Sequence, residues 1–283
     1  MNTLPSAVPG AGGRAIVHRT RGSRHGPITR LASPGDLGHQ LKPFVFLDLF
    51  STKQMTSRPN FGMHPHSGIA TLTYLIEGAL AYEDSTGEAG ELPAGSVEWM
   101  QAGNGVWHTG APVGDAPMLG FQLWVALPAA LENAAPHSMY IEPAQIPQQG
   151  PVRVLLGRYG ALQSPIPAPS DMTYVAVHLG DGERWRYEPP TGHNVAWLAL
   201  SAGQLDGGVR AQAGELVVFE ESAQAIDMVA RGNTSFVLGS AVKHPHDLIM
   251  GSYSVHTSQA ALVQGETEIA RIGATLQRAG RLR

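Results

Sequence analysis

The chain has 283 residues, of which 43% are hydrophobic and only 15% charged, an apolar share that fills a sizeable core and excludes global disorder. Cysteine is absent, which removes disulfides, thiolate metal sites and a cysteine nucleophile; a metal centre here must use imidazole, carboxylate and water, and 12 histidines are available. The net charge of −4 is uneven: residues 1–58 hold eight basic side chains (Arg14, Arg19, Arg21, Arg24, Arg30, Lys42, Lys53, Arg58) against Asp36 and Asp48, which is +6 and leaves −10 for the rest.

A basic arm on an acidic body can touch nucleic acid. No recognition-helix or aromatic stacking pattern accompanies this one, so it is expected to be solvated or paired with the body, and nucleic acid is not an expected partner. No run reaches the roughly 18 apolar residues of a membrane span. The longest, 117–131, is broken by Gln122 and Pro128. The first twenty residues lack an apolar h-region, so a cytoplasmic protein is expected.

With 34 Gly and 21 Pro the chain must turn often, which favours many short strands over long helices. Residues 1–42 are turn-rich and show little periodicity. PFVFLDLF (43–50) reads as a strand, followed by a loop (51–63) and then HPHSG and IATLTYLIEG. In an unbroken strand His64, His66, Gly68, Ala70, Leu72, Tyr74 and Ile76 would share one face. DSTGEAGELPAG (84–95) reads as two turns around a short segment. SVEWM and VWHTG read as strands joined by AGNG, with His108 and Gly110 on one face. MLGFQLWVALP (118–128) alternates again, placing Leu119, Phe121, Leu123, Val125 and Leu127 together.

Proline-rich stretches (141–151 and 164–170) separate two halves. In the second, TYVAVHL, RWRYEP, NVAWLALSAG, LVVFEES, AIDMVA and SFVLGSAV repeat the strand rhythm. Strands at roughly ten-residue spacing suggest a barrel or sandwich in each half. From Thr257 the pattern changes: Leu262, Ile269, Ile272 and Leu276 recur at near-helical spacing behind Ser258, a suitable N-cap. Gly265 and Gly273 interrupt it, so two short helices are expected.

His64 and His66 project to the same side of a strand, and His108 lies in a later one. If the two strands are neighbours, three imidazoles converge inside a barrel. Such a donor set suits Fe(II), Zn, Cu or Ni rather than Mg or Ca. The spacing H-x-H alone is weak. It is strengthened by Pro93-Ala94-Gly95 followed 13 residues on by His108, because a glycine-punctuated H-x-H and a later P-x-G…H are the half-motifs of the cupin barrel.

PFVFLDLF, HPHSGIATLTYLIEG, DSTG, GSVEWMQAGNGVWHTG and FQLWVALP, in this order, resemble the N-terminal signature of the pirin family of bicupins. GHNVAWL and the helical tail resemble its second cupin and closing segment. The resemblance implies an all-β fold of two tandem cupin barrels with a short helical tail, divided as 1–150, 151–245 and 246–283. It also implies a divalent metal, usually iron, in the first barrel on His64, His66 and His108. The family's glutamate ligand falls at Gly110, and the general cupin glutamate at Ala70, so both carboxylates are missing. Glu98 is the nearest carboxylate in sequence, on a face the sequence leaves open.

Two functions are implied: a metal-dependent dioxygenase cleaving flavonols such as quercetin, with a small-molecule ligand in the first barrel, or a non-enzymatic regulator that binds a ligand or a protein partner. No catalytic residue is assigned. KHPHD (243–247) repeats H-P-H but belongs to the linker before the tail, and no metal is expected there or in the second barrel. His178, His193 and His256 are expected to pack, and the five tryptophans to be core or barrel-wall residues.

Overall fold

The computed structural model describes residues 13–53 and 61–282; Arg58, most of the predicted 51–63 loop and residues 1–12 lie outside them. The apolar runs of the sequence form strands: Phe44–Ser51, Ile69–Glu77, Val97–Gln101, Val106–Pro112 and Leu119–Ala126 in the first half. Each is rich in β-branched and aromatic residues and ends at glycine or proline turns. One sheet of the first barrel runs in the order His137–Ile141, Val97–Gln101, Ile69–Glu77, Leu119–Ala126, Phe44–Ser51, Ile28–Ala32, Ser23–His25. The other has four strands, Phe61–His66, Val106–Pro112, Ala79–Asp84 and Ala89–Pro93. The two sheets enclose a cavity. This is the all-β bicupin fold expected.

The second barrel is built on a ten-stranded sheet around Val195–Asp206 and Ile226–Ala241. The segments AIDMVA and SFVLGSAV are one 16-residue strand rather than two, because Arg231 and its neighbours keep pairing with Gln204 and Leu205. Residues 13–32, too aperiodic to read, supply three short strands. The first, Ile16–Thr20, pairs with Leu216–Phe219 and so joins the second barrel. The basic arm largely pairs with the body. Arg14 is buried and donates to the Glu220 and Asn194 carbonyls, Arg21 meets Glu215 at 3.1 Å, and Lys53 meets Glu77 at 2.9 Å.

The strand alternation sorts residues onto two faces. Leu72, Tyr74, Val97, Trp99, Phe121, Leu123 and Val125 share one apolar cluster with Leu155, Tyr174, Trp197 and Val237 of the second barrel. Each such side chain contributes roughly 1.5–3 kcal/mol by leaving water, so the two barrels share a core. The opposite faces of the same strands, with Thr73, Glu98, Gln122 and Trp124, line the cavity of the first barrel.

The continuous face expected from His64 to Ile76 breaks at Ser67–Gly68. There the chain passes from the four-stranded sheet to the seven-stranded one. Gly68 has φ +73°, and a Cβ at this position would lie 2.1 Å from the Val255 carbonyl oxygen. Only glycine fits. Ala70 therefore packs with Leu72 and Tyr74 between the barrels, away from the histidines.

The tail is one 20-residue helix, Gln259–Arg278, not two short ones. Ser258 caps it, its Oγ accepting from Ala261 N at 3.2 Å. The glycines do not break the helix because they lie on its buried face, where they allow close approach. A Cβ on Gly265 would sit 2.5 Å from Ser67 Oγ, and one on Gly273 would sit 2.8 Å from the Trp107 ring. Trp107 Nε1 donates to the Ile269 carbonyl at 2.8 Å, tying the helix to the first barrel. Glycine to alanine inside a helix ordinarily gains about 1 kcal/mol, whereas overpacking costs about 1–3 kcal/mol. Gly265→Ala is therefore expected to lower stability by about 1 kcal/mol in a urea titration. A rise would show that the helix can shift freely.

Candidate metal centre

Alternation along Phe61–His66 sends the His64 and His66 rings to one side. The neighbouring strand Val106–Pro112 runs antiparallel, with His108 opposite His64 and Val106 opposite His66. Register thus carries the third ring to the first two. Ring centroids are 4.5 Å apart for His64–His108, 5.0 Å for His64–His66 and 5.1 Å for His66–His108. One ligand nitrogen from each ring lies within 4.8 Å of the other two.

The outer hydrogen bonds set which nitrogen points inward. His64 Nδ1 donates to the Gly62 carbonyl at 2.9 Å, and His66 Nδ1 to the Tyr253 carbonyl at 3.0 Å. A carbonyl only accepts, so each Nδ1 carries the proton and each Nε2 keeps its lone pair. His108 Nε2 is buried and has no hydrogen-bond partner among the described residues. Burial and then the neighbouring His108 push the His64 pKa down to about 4. Burial, His108 and His64 push His66 well below the ordinary value. Neutral, desolvated imidazoles are the ligating form. The donor set fits a borderline divalent cation such as Fe(II), Zn, Ni or Cu and suits Mg or Ca poorly.

Neither position carrying a family carboxylate supplies one. Gly110 lines the cavity beyond a register shift after His108, and a Cβ there would meet the end of the Leu80 side chain at 3.2 Å. Glu98, whose orientation the sequence left open, faces the cavity and is 4% exposed. Its Oε2 accepts from Thr73 Oγ1 at 2.8 Å, and its Oε1 lies 3.9 Å from His108 Nδ1. The ring nitrogen it approaches is Nδ1, not the orphaned Nε2.

The imidazoles border a cavity of about 470 Å³ with apolar walls from Ile28, Phe50, Leu80 and Met118. Trp124 and Phe46 stack at 4.1 Å, and the Arg30 guanidinium lies 4.0 Å above Phe46. Arg30 also holds Asp48 through two bonds of 2.5 and 3.1 Å. Burial still raises the Asp48 pKa against this partner. The sequence counted Arg30 only as arm charge. It also missed Ser252 and Tyr253, which reach the cavity from a hairpin formed by Ile249–Met250 and Val255–His256. Tyr253 O contacts His66 across 187 residues of chain, and no local motif reports such a contact.

The other histidines hold different partners. His244 and His246 have ring centroids 5.3 Å apart, and among the described residues no third ligand joins them. His178 bonds Ser235, His193 bonds Ser240 and Asp171, and His256 bonds Ser67 beside Glu132. Trp99 and Trp197 are inter-barrel core, and Trp124 is cavity wall.

A model of the Pirin family matches residues 27–125, the stretch that carries the three histidines. A pirin-like protein of Caulobacter vibrioides is 31% identical over 214 residues, 70% of this chain and 73% of that protein. A Pseudomonas aeruginosa protein provisionally named a quercetin 2,3-dioxygenase is 28% identical over 231 residues, 75% of this chain and 79% of its own. Among solved structures, a quercetin 2,3-dioxygenase from Acinetobacter baumannii shares the fold with a TM-score of 0.83, over 92% of this chain and 98% of that one, at 22% identity.

Proposed function

The chain belongs to the pirin family, and from that premise we propose that its first barrel is a metal-dependent dioxygenase centre for flavonol-type compounds such as quercetin. His64, His66 and His108 hold the divalent ion, Fe(II) first among the candidates. The observation that carries this reading is the convergence of three imidazoles beside a largely apolar cavity of about 470 Å³. When bound, the ion supplies Lewis acidity to ligand oxygens. The chain does the rest. Ile28, Phe50, Leu80 and Met118 exclude water from a planar aromatic ligand, and at Gly110 the Leu80 side chain, not a carboxylate, borders the cavity.

A second reading, a non-enzymatic ligand-binding or regulatory protein, is favoured by one observation: Ala70 is turned away and Gly110 has no side chain, so neither offers the ion a negative charge. One experiment separates the readings. The protein is loaded with Fe(II) without oxygen, freed of excess metal, and mixed with quercetin in air. The first reading expects one iron per chain and loss of the flavonol absorbance. Retained metal with no turnover supports the second. Turnover unaffected by chelation contradicts the metal assignment. Gly110→Glu is expected to tighten metal retention by roughly tenfold or more, judged against the 10–100-fold of outer partners, because only the flexible end of Leu80 must yield.

A further inference from the structure

One level of the seven-stranded sheet is polar from end to end. Arg30, Asp48, Gln122, Thr73, Glu98 and Tyr140 are direct register partners on six adjacent strands. All but Tyr140 line the cavity. The row crosses the sheet in steps of about 4.8 Å, opposite the apolar face that packs on the second barrel.

The hydrogen bonds give this row a direction. Thr73 Oγ1 lies 2.8 Å from Glu98 Oε2 and 2.9 Å from the Gln122 side-chain oxygen, yet a hydroxyl has one proton. The carboxylate only accepts, so that proton goes to Glu98. Turning the Gln122 amide lets its N–H donate to Thr73 and gives a partner to a nitrogen that is otherwise buried without one among the described residues. The chain then runs Gln122 to Thr73 to Glu98.

Glu98 is held by one oxygen. Among the described residues Oε1 has no hydrogen bond; the His108 ring nitrogen at 3.9 Å is too far to give one. The cavity's other carboxylate, Asp48, is occupied by both arms of Arg30. The free Oε1 opens onto the cavity, where a carboxylate oxygen gains a charge-assisted hydrogen bond from any donor that enters.

We propose that Glu98 is the acceptor for a ligand hydroxyl, so that the cavity selects compounds carrying a free hydroxyl next to the oxygen that faces the imidazoles: aromatic vicinal diols and hydroxy-ketones. Ligands with that hydroxyl capped, and free carboxylates, are disfavoured. The inference rests on the reading of this cavity as a ligand site, and it deepens that reading by naming the group that chooses the ligand.

The test is equilibrium binding, without turnover. 4-Nitrocatechol and its monomethyl ether 4-nitroguaiacol are titrated by absorbance into the zinc-loaded protein and into the metal-free protein. The wild type is expected to prefer the diol by roughly tenfold or more in both forms, the value of a hydrogen bond to a charged acceptor. Glu98→Leu is expected to lose that preference in the metal-free protein. Glu98→Gln, which keeps a partner for Thr73, is expected to lose part of it, with zinc content unchanged in both. An unchanged preference in Glu98→Leu, or no diol binding by the wild type, overturns the inference. Loss of zinc from Glu98→Gln also overturns it, because Glu98 would then be a metal ligand. Failure of quercetin turnover alone counts against the oxygenase reading and leaves this result standing.

Discussion

Replacing His108 by alanine is expected to weaken metal retention by more than about 100-fold, roughly 3 kcal/mol. In metal-loaded protein passed through a desalting column, the content should fall from one ion per chain to background. The size follows from the donor set. With Ala70 and Gly110 offering no carboxylate, a third of the protein's donors is lost. The metal-free variant should melt close to the metal-free wild type, because among the described residues His108 Nε2 has no partner to abandon. That pairing of outcomes separates a lost ligand from a lost fold. His178→Ala, an exposed position bonded to Ser235 in the second barrel, should leave metal content unchanged. Full metal retention in His108→Ala would contradict the assignment.

Acid should weaken the metal-free protein well before its ordinary carboxylates titrate. The His64 pKa is pushed from 6.5 to about 4 by burial and by His108, and His66 moves in the same direction. The unfolded chain thus binds more protons than the folded one between about pH 6.5 and 4. Unfolding free energy must rise with pH through that window and level off above it. His64 alone makes the protein about 2 kcal/mol less stable at pH 5 than at pH 7, and His66 adds to this. Urea titrations of the metal-free protein across this range measure the slope. In the His64→Ala, His66→Ala double variant it should be much reduced. A metal-loaded sample should resist acid better, since the ion stabilises only the folded form. An equal slope in wild type and double variant would place the acid sensitivity elsewhere.

The sequence carried the local half of this site. H-x-H spacing fixes two rings on one face whatever surrounds them, and the glycine-turned strand with His108 is the natural neighbour. The apolar alternation in 118–128 was equally legible, although it marks the surface shared by the barrels and not the barrel interior. Long-range facts were hidden. Gly68 reads as one more residue of a strand until the Val255 carbonyl is seen against it. Gly265 and Gly273 read as helix breakers until Ser67 and Trp107 occupy the space a Cβ would need. Glu98 could not be oriented from five residues of strand, because both faces of SVEWM are buried. The polar row from Arg30 to Glu98 exists only in register, which no single segment specifies.

A metal centre in the first barrel requires the three imidazoles to share one ion. Crystals of metal-loaded protein, measured on both sides of the absorption edge of the loaded metal, test this directly. One anomalous peak is predicted at roughly 2.0–2.2 Å from a nitrogen of each of His64, His66 and His108. A fully loaded protein whose peak lies elsewhere, at His244 and His246 for example, or touches only two of the three rings, would contradict it.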